Sequence, residues 1–185
     1  MRNVAAVVLL VLAGCAGSDP TPAHPTPSAQ VTQVLTFQAF DEHGLLPNLV
    51  RAVSVTGACQ GGSVVHPGRA DAWRCRAGDT AFDPCFANST GEELACAGDP
   101  WVRDVTIVRP PAPLGRAGSN RNDPGLPPWF LELADGARCG RTPPASYRCA
   151  GGTDVSEPDT TRPVWRVRGT GAGAPLTAEV RTAWY

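Results

Sequence analysis

Ala72-Trp73-Arg74-Cys75-Arg76-Ala77-Gly78-Asp79-Thr80-Ala81-Phe82-Asp83-Pro84-Cys85-Phe86 reads as a β-hairpin. Side chains alternate across a strand, so Trp73 and Cys75 face inward while Arg74 and Arg76 face water. Ala77-Gly78-Asp79 supplies the turn, Thr80-Ala81-Phe82 returns, and Asp83-Pro84 is expected to close the hairpin. The hairpin lies inside a longer run, Cys59 to Trp101, that holds four of the seven cysteines and two of the five tryptophans. Throughout that run, short apolar segments alternate with Gly, Pro and Asp turns. The pattern is disulfide-stapled β structure.

Working outward, Glu93-Leu94-Ala95-Cys96 and Trp101 to Val108 read as further short strands. In the second of these, Trp101, Val105 and Ile107 share a face only if a bulge intervenes. Arg109 to Pro128 is a long loop rich in Pro, Gly, Asn and Arg. Trp129 to Leu133 is a strand, turned back by Ala134-Asp135-Gly136 toward Arg138-Cys139. Ser146 to Cys149 follows, cut by Gly151-Gly152. A terminal hairpin joins Val164–Arg168 to Leu176–Tyr185 through the loop Gly169 to Pro175. Its last strand is expected to place Leu176, Ala178, Val180, Thr182 and Trp184 on one face. Upstream, Gln33 to Phe40 is a strand or a short helix, Asp41 to Gly44 a turn, and Leu49 to Cys59 a strand. The expected fold is mainly β, or α+β with little helix, built as small antiparallel sheets or a sandwich stapled by three disulfides. Trp73-Arg74-Cys75 and Tyr147-Arg148-Cys149 look alike, but spacing and order do not support a duplication.

The 185 residues divide into a leader, residues 1–14, a tether, residues 15–30, and one domain, residues 31–185. A domain of that length buries roughly two thirds of its unfolded surface, enough for a core. The formal net charge is −1, so neither nucleic acid nor an acidic surface is indicated. All 16 basic residues are arginine. The absence of lysine excludes Schiff-base chemistry and a phosphate-loop lysine.

Arg2 precedes an apolar run, Val4 to Leu12, too short to span a bilayer as a helix. The run ends in Leu12-Ala13-Gly14-Cys15. This resembles the lipobox of bacterial lipoproteins. The resemblance implies that Cys15 takes a diacylglyceryl thioether and becomes the mature N-terminus. Its acyl chains would anchor the chain to the outer face of the cell membrane, where a single chain binds only marginally. Ala16 to Gln30, with Pro20, Pro22, Pro25 and Pro27, is an extended tether reaching at most ~45 Å. His24, inside it, is read as solvated.

With Cys15 lipidated, Cys59, Cys75, Cys85, Cys96, Cys139 and Cys149 remain. An even number in an exported chain implies a disulfide framework whose connectivity sequence alone does not choose. Sequential pairing is expected, because each consecutive pair flanks a short turn-rich segment. Each loop so closed is worth roughly 3 kcal/mol through the unfolded state. There is no C-x-x-C, so neither a redox pair nor a zinc ribbon has support.

Catalytic signals are sparse. Ser63, His66 and Asp71 suit an envelope hydrolase, but no motif for a nucleophile, zinc or paired acids accompanies them. Asp71, Asp79, Asp83, Asp99 and Asp104 fit turns and caps better than a calcium site. Gly169, Gly171 and Gly173 lack the following helix that a phosphate cradle needs. Arg162, Arg166, Arg168 and Arg181 fit a solvated face or a surface for anionic wall polymers. The tryptophans fit a core better than sugar-stacking platforms. No cofactor and no metal are expected.

The chain is also similar to a group of uncharacterised secreted proteins and lipoproteins of actinobacteria. The likeness is carried by Ala70 to Cys75, Asp83 to Phe86, Cys96 with Pro100-Trp101, and Pro128-Trp129 with Leu131 to Gly136 and Cys139. It continues through Tyr147-Arg148-Cys149 with Gly151-Gly152 and Ala183-Trp184-Tyr185. It implies an extracytoplasmic disulfide-rich domain and brings no catalytic residues. The expected protein is a lipid-anchored envelope lipoprotein with a binding or structural domain. Its expected partners are the membrane and a cell-wall polymer or an envelope protein. The alternatives are the hydrolase and a polysaccharide-binding module.

Overall fold

The computed structural model describes residues 30–115, 126–171 and 173–185. The leader, Cys15, His24 and residues 116–125 of the long loop lie outside them. Every regular element among the described residues is a strand. The first are β1 (Gln33–Leu35), β2 (Phe40–Asp41) and β3 (Gly44–Leu45). Then come β4 (Val50–Thr56), β5 (Ala58–Gly62), β6 (Ala72–Ala77), β7 (Thr80–Ala87), β8 (Leu94–Cys96) and β9 (Asp104–Arg109). The last are β10 (Phe130–Leu133), β11 (Arg138–Thr142), β12 (Ser146–Cys149), β13 (Asp154–Ser156), β14 (Arg166–Gly171) and β15 (Ala174–Trp184).

The first large sheet has the order β4-β9-β8-β7-β6-β5, antiparallel except for the parallel pair β4–β9. Its two outer strands are consecutive, separated by Gly57 alone. The sheet therefore curls until both edges meet at that residue. A Cβ on Gly57 would lie 2.7 Å from the Arg76 carbonyl oxygen and 2.9 Å from Val108 Cγ1. The interior of the curl holds Trp73, Cys75, Cys85, Leu94, Cys96 and Val108.

The second sheet runs β15-β10-β11-β12-β13-β14, and β14 pairs again with β15, closing a barrel-like ring. The 11 residues of β15 make this possible: its first half pairs with β14 and its second with β10. β1 adds to β15 in parallel, so Gln33 to Leu35 is strand rather than helix. The ring encloses Leu131, Leu133, Tyr147, Val155, Val167 and Val180.

A third apolar cluster lies between the sheets, with Phe37, Leu49, Phe86, Ile107 and Trp129 at its centre. Strand alternation feeds it: Cys85, Leu94 and Cys96 point into the first curl, while Phe86, Ala95 and Ala97 point to the shared cluster. Strands buried on both faces explain why the middle of the chain is so apolar.

Four local expectations are corrected. Asp83-Pro84 does not end the hairpin, and β7 continues to Ala87. Trp73 pairs with Cys85 and Cys75 with Phe82, so Asp83 and Pro84 together face Arg74 as a bulge. A proline lacks a donor and is tolerated at such a site. Trp101 precedes β9, with the Asp99 carboxylate accepting the Trp101 and Val102 main-chain N–H groups at 2.8 and 2.9 Å, so Val105 and Ile107 share a face without a bulge. In β15, Val180 faces Leu133 and Thr182 faces Glu132, leaving Arg181 as an extra residue. The expected single face is thus split: Val180 and Ala183 fill the ring and Trp184 joins the shared cluster. Gly169 belongs to β14 rather than to a loop, and a Cβ there would lie 2.3 Å from the Asp154 carbonyl oxygen.

Candidate functional site

The cysteines pair in sequence order: Cys59–Cys75, Cys85–Cys96 and Cys139–Cys149. Each bond joins residues directly opposite one another on adjacent antiparallel strands. The sulfurs of Cys75, Cys85 and Cys96 lie within 4.8 Å of one another, so two disulfides stack inside the first curl. This is the one close group of metal-ligand atom types among the described residues, and every member is already oxidised. The aspartates do not converge: Asp71 is held by Arg69, Asp83 by Ser63, and Asp99 caps its own turn.

Ser63, His66 and Asp71 share the loop between β5 and β6, but the structure does not assemble them as a catalytic relay. Ser63 and His66 are 3% and 4% exposed. The Ser63 hydroxyl donates to Asp83 Oδ1 and accepts the main-chain N–H of His66 at 2.9 Å. Asp83 Oδ2 accepts the Val64 N–H at 3.0 Å. Neither imidazole nitrogen has a hydrogen-bond partner. The ring instead stacks on Trp129, 6.4 Å between centroids and 23° from parallel. Burial pushes the His66 pKa down to about 4, helped by the Arg69 and Arg141 charges and opposed by the Asp71 carboxylate. The imidazole is therefore neutral at pH 7, with no bond to the serine it would have to activate. The Asp71 carboxylate takes Arg69 Nε and Nη2 at 2.7 and 3.0 Å.

What the loop does is join the two sheets. The Arg69 guanidinium lies 4.5 Å from the centre of the Phe86 ring, and its Nη1 donates to the Tyr185 main-chain oxygen at 3.1 Å. From the other side, Arg141 of β11 donates to the carbonyls of Val64 and Pro144 at 3.4 and 2.9 Å. Nothing in the sequence marked Asp83 or Arg141 as members of this group, since their partners are about 20 and 77 residues away.

None of the five tryptophans is fully exposed. Trp73 and Trp129 are buried. Trp101 and Trp184 cross edge to face at 6.0 Å, and Arg138 covers Trp101 at 4.4 Å. Trp165 is likewise half-buried. The arginines divide. Arg162, Arg166 and Arg168 come together on one cleft, with Asp159, Thr161 and Thr177. Arg181 lies apart, bonded to Glu132 and to the Ala134 carbonyl. No helix among the described residues is long and apolar enough to cross a membrane. Comparison with protein-family models, curated proteins and solved structures finds no match to this chain.

Proposed function

We propose that the chain is a lipid-anchored protein of the bacterial cell envelope, whose disulfide-braced β domain binds or scaffolds rather than catalyses. One observation carries the reading. All six domain cysteines are oxidised in cross-strand pairs, while the seventh, Cys15, follows Leu-Ala-Gly directly. Structural disulfides form and persist outside the reducing cytoplasm. A lone cysteine at that place in an export leader fits lipidation, and two acyl chains suffice for firm anchoring. The likeness to actinobacterial secreted proteins belongs to the same reading. About half of its supporting residues are buried, among them Trp73, Cys75, Cys85, Phe86, Trp129, Leu131 and Tyr147, and several of the exposed ones are turn residues such as Asp135, Gly136 and Gly151. It therefore speaks for a shared scaffold and assigns no chemistry. The hydrolase reading loses its support because the buried His66 imidazole bonds neither Ser63, which is held by Asp83, nor Asp71, which is held by Arg69.

Detergent phase partition of the full chain, expressed in a lipoprotein-processing bacterium, tests the anchor. The wild type is expected in the detergent phase and Cys15→Ser in the aqueous phase. A wild-type chain in the aqueous phase, or one whose intact mass retains the leader, overturns the proposal.

A further inference from the structure

We infer that the outer face of β14, with the loop before it, is a binding site for a phosphoryl group. Arg166 and Arg168 are exposed, while Val167 between them is fully buried in the ring. Alternation thus aims both guanidiniums at one outer surface. The Asp159 N–H donates to the Arg166 carbonyl at 2.8 Å, which folds residues 159–164 back beside the strand. That fold brings Arg162 onto the same cleft, about 320 Å³ in volume. Thr177, directly opposite Arg168 on β15, adds a hydroxyl, while Thr161 lines the loop side with its own hydroxyl turned to Asp159.

The charge in this cleft is balanced only in part from within: three guanidiniums meet the carboxylates of Asp159 and Glu179. Arg166 is paired with Glu179 at 2.9 Å. Asp159, the one carboxylate lining the cleft, is occupied by the N–H and hydroxyl of Thr161 at 3.1 and 2.7 Å. Those bonds hold its carboxyl below the usual range, and the charges of Arg162 and Arg168 add to the effect. Arg162 and Arg168 have no ion-pair partner among the described residues. Several other arginines are matched to acids: Arg51 and Arg109 to Glu93, Arg69 to Asp71, Arg148 to Asp154, Arg181 to Glu132. Arg103 and Arg138 instead rest on the Asn48 carbonyl and the Trp101 ring.

Two unpaired guanidiniums held in one concavity repel each other, and an anion between them removes that cost. A phosphoryl group has several oxygens to offer, matching two guanidinium forks and the Thr177 hydroxyl, where a carboxylate satisfies only one fork. The group can come from free phosphate or from a phosphodiester-linked polyol chain. The inference rests on the reading of the domain as a binder, and is independent of the anchor.

Arg74 and Arg76 give a charge-matched control. They too lack acid partners among the described residues, but their cleft with Gln60 offers neither a third guanidinium nor a threonine hydroxyl. The full chain in detergent micelles is titrated with inorganic phosphate and with poly(glycerol phosphate), for the wild type, R162Q/R168Q and R74Q/R76Q. R162Q/R168Q is expected to bind roughly tenfold or more weakly, while R74Q/R76Q binds like the wild type. Tighter binding per phosphate to the polymer assigns the site to a polymer; equal binding assigns it to free phosphate. Equal weakening in both variants, or no wild-type binding to either probe, overturns the inference. The intact mass of the same sample separates the two proposals. A lipidated chain that binds neither probe leaves the anchor standing, and an unlipidated chain that binds removes the anchor alone.

Discussion

At the scale of single residues, His66 is where burial and charge conflict most directly. Its ring is covered by Trp129 and faces Arg69, Arg141, Asp71 and the Tyr185 main-chain oxygen. The folded-state pKa is about 4, against 6.5 for a free imidazole. Between those values the unfolded chain binds the proton and the folded chain does not. Stability from this group is complete above pH 6.5 and falls as the pH drops toward 4. The span corresponds to on the order of 3 kcal/mol. Carboxylates titrate in the same window, so the contribution is read by difference. Urea midpoints measured at pH 7 and pH 4.5 are expected to fall more for the wild type than for His66→Phe, which keeps an aromatic ring on Trp129 and has no proton to take. Parallel losses in the two proteins would show that the imidazole is not desolvated as described. Sequence could nominate His66 but not its burial, because the groups around it, Trp129, Arg141 and Tyr185, lie more than 60 residues further along the chain.

At the scale of elements, both large sheets close on a glycine. Gly57 lies where the first sheet's two edges meet, and Gly169 lies on β14 against β13, where added atoms would strike the Asp154 carbonyl and Val155 Cγ1 at 2.3 and 2.9 Å. Neither clash is with the far end of a mobile side chain, so a methyl group must push strands apart. Gly57→Ala and Gly169→Ala are each expected to cost about 1–3 kcal/mol of stability in urea unfolding. Gly98→Ala, with open space around it, should change little. A Gly169→Ala variant as stable as the wild type would mean that β13 and β14 do not approach as closely as the ring requires. These closures also mark how far the sequence could be read. The β6–β7 hairpin was legible because it is local, alternates, and turns on Gly78-Asp79. The pairing of β4 with β9 was not, since it is parallel and joins residues about 54 apart, such as Val50 and Asp104, with no signal in either strand. β13, only three residues long, carries no period of its own. The split face of β15 follows from one extra residue, Arg181, opposite β10, and bulges of that kind are set by the partner strand. Of the candidate cleft, Arg162, Arg166 and Arg168 were all nominated from the sequence, together with Arg181, which lies apart. The backbone bond from Asp159 that sets Arg162 beside the other two was not legible.

For the whole molecule, the question is whether two closed sheets behave as one body. The contacts between them are apolar at the centre and charged at the edge. Trp129, from the segment leading into β10, lies 5.7 Å from both Phe37 and Phe86. Trp101 meets Phe130 and Trp184 edge to face, and such pairs add about 0.5–1.5 kcal/mol each beyond their buried area. Arg69 ties the β5–β6 loop to Tyr185, and Arg141 ties β11 back to that loop. Unfolding either sheet alone would expose this shared cluster, so the two are expected to melt together. With the disulfides intact, calorimetry is expected to show one transition whose calorimetric and van 't Hoff enthalpies agree. Trp129→Ala, which empties the seam and leaves both disulfide-lined interiors in place, is expected to cost about 3–5 kcal/mol. It should also lower the midpoint of the single transition rather than release one sheet before the other. Two resolved transitions in the wild type would mean that the shared cluster is too weak to couple the sheets. Each would then be a domain in its own right, stapled from within and only leaning on its neighbour.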